Sequence, residues 1–351
     1  MINAESKLLI PITKKERRQA IARGLDFVYR TACVPENFEM YGHDFLCCFN
    51  CIESTSKDLN LRRTARRMGR ERARYWRREH AQLPLNPDAD TIAYLVMGSD
   101  AAERLGVCDD RFKKILRKAA ANFSPQDFLG FDPVREPPSE DLPDECACGC
   151  FNERGRKTCR ECKKRLIMLS SYAVWLDALI RTYLSERAGI KLGASYADVI
   201  KWLPNMRPYP EYDEDDPDFF WAIYAVTHIV YTLNDYSLYR LSPGWLPHEY
   251  EFLTKNLSQA IVMEDPETMG EFLDSLKSFG LQEDHPLVIE GSRFLLTQQN
   301  SDGSWGDPDA EDVYGRYHPT WTAIDGLREY MDREERLSFQ SIRPFLEQCA
   351  R

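Results

Sequence analysis

A chain of 351 residues with 43% apolar and 12% aromatic side chains is long enough for one large domain or two ordinary ones around a sizeable core. Its net charge of −10 argues against general nucleic-acid binding, and no apolar run reaches the length needed to span a bilayer. The opening MINAESKLLIPITKKERR lacks the features of a signal peptide. Eleven cysteines in such a chain therefore suit metal ligation and buried thiols, with a reducing, cytoplasmic location expected.

Helical periodicity predominates. It predicts helices over KKERRQAIARGLDFVYRTA (14 to 32), DDRFKKILRKAAANF (109 to 123), LIMLSSYAVWLDALIRTYLSER (166 to 187) and DFFWAIYAVTHIVYTLNDYSLYRL (218 to 241). The arginine-rich stretch 61 to 80 puts Ala65, Met68, Arg72, Tyr75 and Trp76 near helical spacing, as in an outer helix. Its arginines would pair with acidic surface, or would meet an anionic ligand or acidic protein partner. Proline-rich, acidic stretches at 84 to 90, 132 to 145, 203 to 218 and 242 to 249 read as loops. The Asp213, Glu214, Asp215 and Asp216 run falls in one of them.

Four segments, YGHDFLCCFNCIES, SSYAVWLDAL, FWAIYAVTHIVYTLNDY and YHPTWTAIDGL, mix aromatics, small residues and a polar group where a core helix is normally aliphatic. Such helices suit an inner ring around a cavity, with charged helices outside them. The expected fold is all-α, an α/α barrel or toroid of alternating inner and outer helices.

The stretch LLTQQNSDGSWGDPDAEDVYGRYHPTWTAIDGL resembles the repeat of the terpenoid cyclase and protein prenyltransferase superfamily, in which a helix ends in Gln, a DGSWG turn follows and an inner helix begins. Gly303 and Gly306 permit the tight backbone, Asp302 can cap local amides, and Trp305 can bury its ring while its N–H finds a carbonyl. The resemblance spans residues 291 to 330 and implies the toroid. It supplies no catalytic residues: for the cyclases' DxDD acid motif the chain offers only the DEDD run, set between prolines in a predicted exposed loop to which catalysis is not carried over, and no segment matches the prenyltransferases' zinc motif.

Within ECACGCFNERGRKTCRECKKRL (145 to 166), two cysteine groups flank a polar turn, and Cys159-x-x-Cys162 has the spacing of a zinc knuckle. The segment resembles a small zinc ribbon with Cys146, Cys148, Cys159 and Cys162 as ligands and Cys150 as the substitute. An iron–sulfur cluster is the alternative. Arg154, Arg156, Lys157, Arg160, Lys163 and Lys164 would offset four thiolates. A four-ligand site is closed and structural. The expected organisation is an N-terminal part of the toroid (1–131), a loop with the ribbon-like insertion (132–165) and a C-terminal part of the toroid (166–351).

His43, His228 and His318 stand at or near the starts of predicted inner helices. They could converge at one mouth of a cavity as acid–base groups or around a second divalent metal, assisted by Asp44 or by Asp235, two turns after His228. Cys47, Cys48 and Cys51 share the helix of His43 and could add a nucleophile or ligand, or pack as small apolar residues. Tyr224, Tyr231, Tyr236, Trp175, Trp221, Trp305 and Trp321 would line the cavity for an apolar guest. Two functions follow as expectations. One is an enzyme similar to terpenoid cyclases that transforms a hydrophobic, isoprenoid-like small molecule. The other is a noncatalytic scaffold in which the ribbon and the arginine helix hold a protein or anionic partner.

Overall fold

In the computed structural model, described for residues 13–139, 146, 148, 150, 152, 156, 158–164, 166, 170–213 and 217–350, α-helices carry the architecture. Among the described residues β structure is limited to isolated bridges, such as Ser56 with Tyr330. In chain order the helices are α1 (Lys14–Ala32), α2 (Pro35–Thr55), α3 (Leu59–Glu79), α4 (Ala89–Arg104), α5 (Asp110–Ala120), α6 (Pro125–Leu129) and α7 (Ser171–Ala188). They continue as α8 (Tyr196–Ile200), α9 (Pro217–Leu233), α10 (Pro247–Val262), α11 (Pro266–Ser278), α12 (Pro286–Gln298), α13 (Tyr314–Leu327) and α14 (Arg343–Cys349).

The helix boundaries have local causes. Thr13 accepts the amide of Glu16 at 3.2 Å while the Glu16 carboxylate accepts the amide of Thr13 at 3.0 Å, a reciprocal cap that starts α1 at the expected residue. Pro247, Pro266 and Pro286 open α10, α11 and α12, where a missing N–H costs nothing. Helix α9 stops at Leu233, short of the expected 241, because Asp235, Tyr236 and Ser237 all take positive φ and turn the chain back.

Helices α2, α4, α7, α9, α11 and α13 form a succession in which each packs on the next, and α13 returns to α1, which packs on α2. Contacts between α13 and α2 include the Phe45 and Tyr317 rings, 4.5 Å apart. Helices α1, α3, α5, α10 and α12 lean on this succession. The two sets differ in burial. Every residue of α11 except Glu267 is buried, whereas α3 buries only Ala65, Met68, Gly69, Ala73 and Trp76. Of the stripe expected for residues 61 to 80, Ala65, Met68 and Trp76 are buried and Tyr75 is partly buried. Arg72, also expected on it, is partly buried, with its guanidinium over the Phe38 and Tyr75 rings.

The corner between α12 and α13 follows the chemistry read from DGSWG. Gly303 and Gly306 take φ of 97° and 85°, and a Cβ at Gly306 would lie 2.2 Å from the Gly315 carbonyl oxygen. Asp302 accepts from the Ser304 amide at 3.1 Å. The Trp305 ring is fully buried and its Nε1–H donates to the Leu295 carbonyl at 2.7 Å. No helix among the described residues is long and apolar enough to cross a membrane.

Candidate functional site: two ligand clusters

The first cluster is built by chain-local geometry. Cys146 Sγ lies 3.6 Å from Cys162 Sγ, Cys148 Sγ lies 3.7 Å from Cys159 Sγ, and all four sulfurs fall within 4.8 Å of one another. A tetrahedral ion with metal–sulfur bonds of about 2.3 Å separates its sulfurs by about 3.8 Å, so these four cysteines could hold a metal ion. Each arm is closed by backbone bonds: the Cys146 amide donates to the Cys150 carbonyl at 2.9 Å, and the Cys159 amide to the Lys164 carbonyl at 2.9 Å. Asn152 joins the arms, donating to the Cys150 carbonyl and accepting the Arg160 amide, both at 2.9 Å. Cys150 is not in the four-sulfur group; its sulfur accepts from Arg160 Nε at 3.3 Å. Arg154, Lys157 and the acidic positions Glu214, Asp215 and Asp216 lie outside the described residues.

The second cluster needs three helices. Glu267 and Glu271 stand one turn apart on α11, and His318 projects from the first turns of α13; one ligand atom from each lies within 4.8 Å of the others. His318 Nδ1 is 3.0 Å from Glu267 Oε1, and the Thr227 hydroxyl on α9 donates to Glu271 at 2.5 Å. Three ligands of this kind could also hold a metal ion. With His228, Asp274, Asp325, Cys51 and the rings of Tyr231, Tyr236 and Trp321, Glu271 and His318 line a cavity of about 30 Å3. That is room for a water or an ion and not for the body of a substrate.

Burial and close pairing set the protonation of these groups. Burial pushes Glu271 up to about 8, and the Glu267 carboxylate adds to this against an opposing pull from His318. For His318 burial acts downward, but the Glu267 carboxylate outweighs it and raises the imidazole to about 9. Glu267 itself, which burial would raise, is held below the usual glutamate range by His318. At neutral pH the trio is then a Glu267 carboxylate, a His318 imidazolium and a protonated Glu271. Burial pushes His228 down to about 4, so its ring is neutral; Nδ1–H donates to the Tyr224 carbonyl at 2.8 Å and Nε2 remains as a base.

Of the three histidines read from the sequence, His228 and His318 line the cavity. His43 is not among its lining residues. Its ring packs against Tyr94, with centroids 4.9 Å apart, and Nε2 lies 3.2 Å from Asp44. Asp44 in turn accepts the Tyr317 hydroxyl at 2.9 Å, beside His318. Asp235 does not share the helical face of His228, because α9 has ended before it. It pairs with Arg104 at 3.2 Å and Arg187 at 3.3 Å and accepts the Tyr183 hydroxyl, within a buried ionic network that includes Asp100. Cys47, Cys48 and Cys51 are buried, and burial pushes all three thiols up, Cys47 to about 12, which makes them poor nucleophiles, although Cys51 lines the cavity. Trp175, like Trp305, is fully buried and donates to a carbonyl, that of Val199 at 3.0 Å; neither lines the cavity.

Glu267 and Glu271 escaped the sequence reading. ETMGEFLDSLKS has carboxylates at helical spacing on one side and Met269, Phe272, Leu273 and Leu276 on another, the pattern of a half-exposed helix. The available signal was Gly270, Ser275 and Ser278, small residues that let neighbouring helices close over the polar side. A Cβ at Gly270 would stand 2.4 Å from the Thr322 carbonyl carbon of α13.

No family model, curated protein or solved structure matches this chain.

Proposed function

We propose that this chain is an enzyme with an α/α-toroid architecture similar to the terpenoid cyclases, in which Glu271, Glu267, His318 and His228 form a proton-transfer centre. One observation carries the reading: two glutamates of α11 and a histidine of α13 converge in the buried interior beside a second, neutral histidine. General acid–base chemistry needs a proton donor and an acceptor held at one place, and perturbed titratable groups cluster at functional sites, although structural ion-pair networks gather such groups too. Glu271, protonated at neutral pH, is the acid; His228 Nε2 is the base; the Glu267 and His318 pair fixes the geometry. The succession of α2, α4, α7, α9, α11 and α13 supports a closed inner ring, and Tyr231, Tyr236 and Trp321 favour an apolar substrate whose reacting end alone enters the cavity. The cysteine cluster holds zinc as a structural staple. If a divalent cation occupies the trio, it supplies Lewis-acid chemistry there, with Glu267, Glu271 and His318 as its ligands.

The cavity's small volume favours a second reading, a scaffold with a filled axis, in which the same cluster serves only as a buried polar network. Difference infrared spectroscopy separates the two. The acid role predicts a protonated carboxyl band at pH 7 that disappears in Glu271→Gln and above about pH 8 in the wild type. A Glu271 carboxyl already ionised at pH 5 removes the acid from the proposed centre. Elemental analysis of Glu267→Gln/Glu271→Gln settles the cation: loss of one metal equivalent relative to wild type places it in the trio.

A further inference from the structure

We propose that the groove between α1 and α3 is a second binding site, for an organic anion with an apolar tail. The groove encloses about 510 Å3, the size of a small-molecule site, and far more than the cavity at Glu271. It lies at the other end of α13 from His318. Arg328 follows the last residue of α13, ten residues on, which is about 15 Å along a helix axis.

Its wall has two halves. Ile21, Leu25, Leu61 and Met68 give an aliphatic floor where α1 faces α3. Lys14, Arg17, Arg18, Lys57 and Arg328 supply positive charge around it, against only Asp58 and Glu329 among the lining residues. Those two carboxylates are already engaged. Asp58 caps α3 through the Asn60 amide at 2.8 Å and lies 3.1 Å from Arg18, while Glu329 sits between Lys14 at 3.6 Å and Lys57 at 3.8 Å. Arg17 pairs with Glu283 and Arg328 with Asp325, so both guanidiniums are already neutralised from behind the groove wall. The charge open to the groove is therefore that of Lys14, Arg18 and Lys57, three exposed cations that share only the two carboxylates Asp58 and Glu329. An aliphatic floor beside surplus cations selects a molecule with both a carboxylate or phosphate head and a hydrocarbon body. Neither inorganic anions nor neutral lipids satisfy both halves.

The test uses the full chain and isothermal titration calorimetry with decyl phosphate and decanoate below their micelle-forming concentrations, with decanol and inorganic phosphate as single-feature controls. Because buried methylenes favour the amphiphiles over inorganic phosphate and the charged head favours them over decanol, at least one of the two should bind about tenfold or more tightly than either control. Whichever binds better identifies the head group. Lys14 and Arg18 have largely exposed side chains, and Ala22 lines the groove from an exposed position. Substitution there leaves the core intact. Lys14→Glu/Arg18→Glu should weaken binding about tenfold through charge, and Ala22→Trp should remove it by filling the groove, with unchanged circular dichroism in both. Decanol binding as tightly as the amphiphiles, inorganic phosphate doing so, or equal affinity in the variants and the wild type would each overturn the proposal. The outcome is independent of the proton-transfer centre, whose infrared signature these variants leave in place.

Discussion

The cysteine cluster and the carboxylate–histidine cluster each gather three or more candidate ligands within 4.8 Å, by opposite routes. The four cysteines fall within 17 residues of chain, and the backbone bonds that close each arm are themselves local. Glu271 and His318 are 47 residues apart and meet only because α11 crosses α13 at Gly270. A local cluster survives changes elsewhere in the molecule and depends on its own ligands. A tertiary cluster depends on helix packing far from its own side chains.

The largest expected effect tests the local half of this contrast. Cys159→Ser/Cys162→Ser should lose a full equivalent of zinc by elemental analysis, since a structural site of this kind is worth about 10 kcal/mol or more of binding and two ligands cannot hold it. The carboxyl band of Glu271 should be unaffected. Unchanged zinc in that variant would break the comparison at once.

A second effect reads the tertiary cluster through pH. Glu271 and His318 both have raised values in the folded protein, about 8 against 4.5 and about 9 against 6.5, so both contributions to stability are fully present at low pH. They are lost as pH rises, between 4.5 and 8 for Glu271 and between 6.5 and 9 for His318. His228 runs the other way: its value is depressed to about 4, so its contribution is present above 6.5 and is lost as pH falls towards 4. Denaturant unfolding should therefore show stability falling from about pH 6.5 to 9. Glu271→Gln should flatten that limb by up to roughly 2 kcal/mol, an upper bound from the part of the shift that lies above pH 6.5. A wild-type limb that is already flat would mean that a cation or water network holds Glu271 ionised.

Gly270→Ala probes the helix crossing itself. The added Cβ meets backbone of α13 that has little freedom to retreat, so the cost should be about 1–3 kcal/mol in denaturant unfolding. The Glu271 band should shift while zinc content stays constant. The smallest effect belongs to His43→Ala, about 1 kcal/mol from lost contacts with Tyr94 and Asp44, with the Glu271 band unchanged. A displaced band there would draw His43 into the cluster.

How much of this was legible follows the same division. Helix α1, the DGSWG corner, most of the buried stripe of α3 and the choice of Cys146, Cys148, Cys159 and Cys162 over Cys150 all rest on interactions within a few turns of chain, and periodicity and spacing encode those directly. The end of α9 was overrun because LNDYSLYRL keeps an apolar rhythm, while the reversal rests on three consecutive positive-φ residues that periodicity does not register. Asp235 went with it, into the ionic network of Arg104 and Arg187. His228 and His318 were visible as polar residues on aromatic helices. Glu267 and Glu271 were not, because a carboxylate pair on an amphipathic helix reads as a wet face.

The sequence by itself determined the helical character, the starts of helices such as α1, α5 and α9 to within a residue, the α12 to α13 corner and the cysteine group, since periodicity, positive-φ glycines and short ligand spacings act over distances the chain covers locally. Tertiary structure alone decided which polar residues are buried together. The burial of α11 on nearly every side turns Glu271 from a surface charge into a protonated acid beside His318, and the meeting of α1, the approach to α3 and the end of α13 gathers five cations around an aliphatic floor. Desolvation and long-range pairing depend on which helices meet, and no local pattern specifies that.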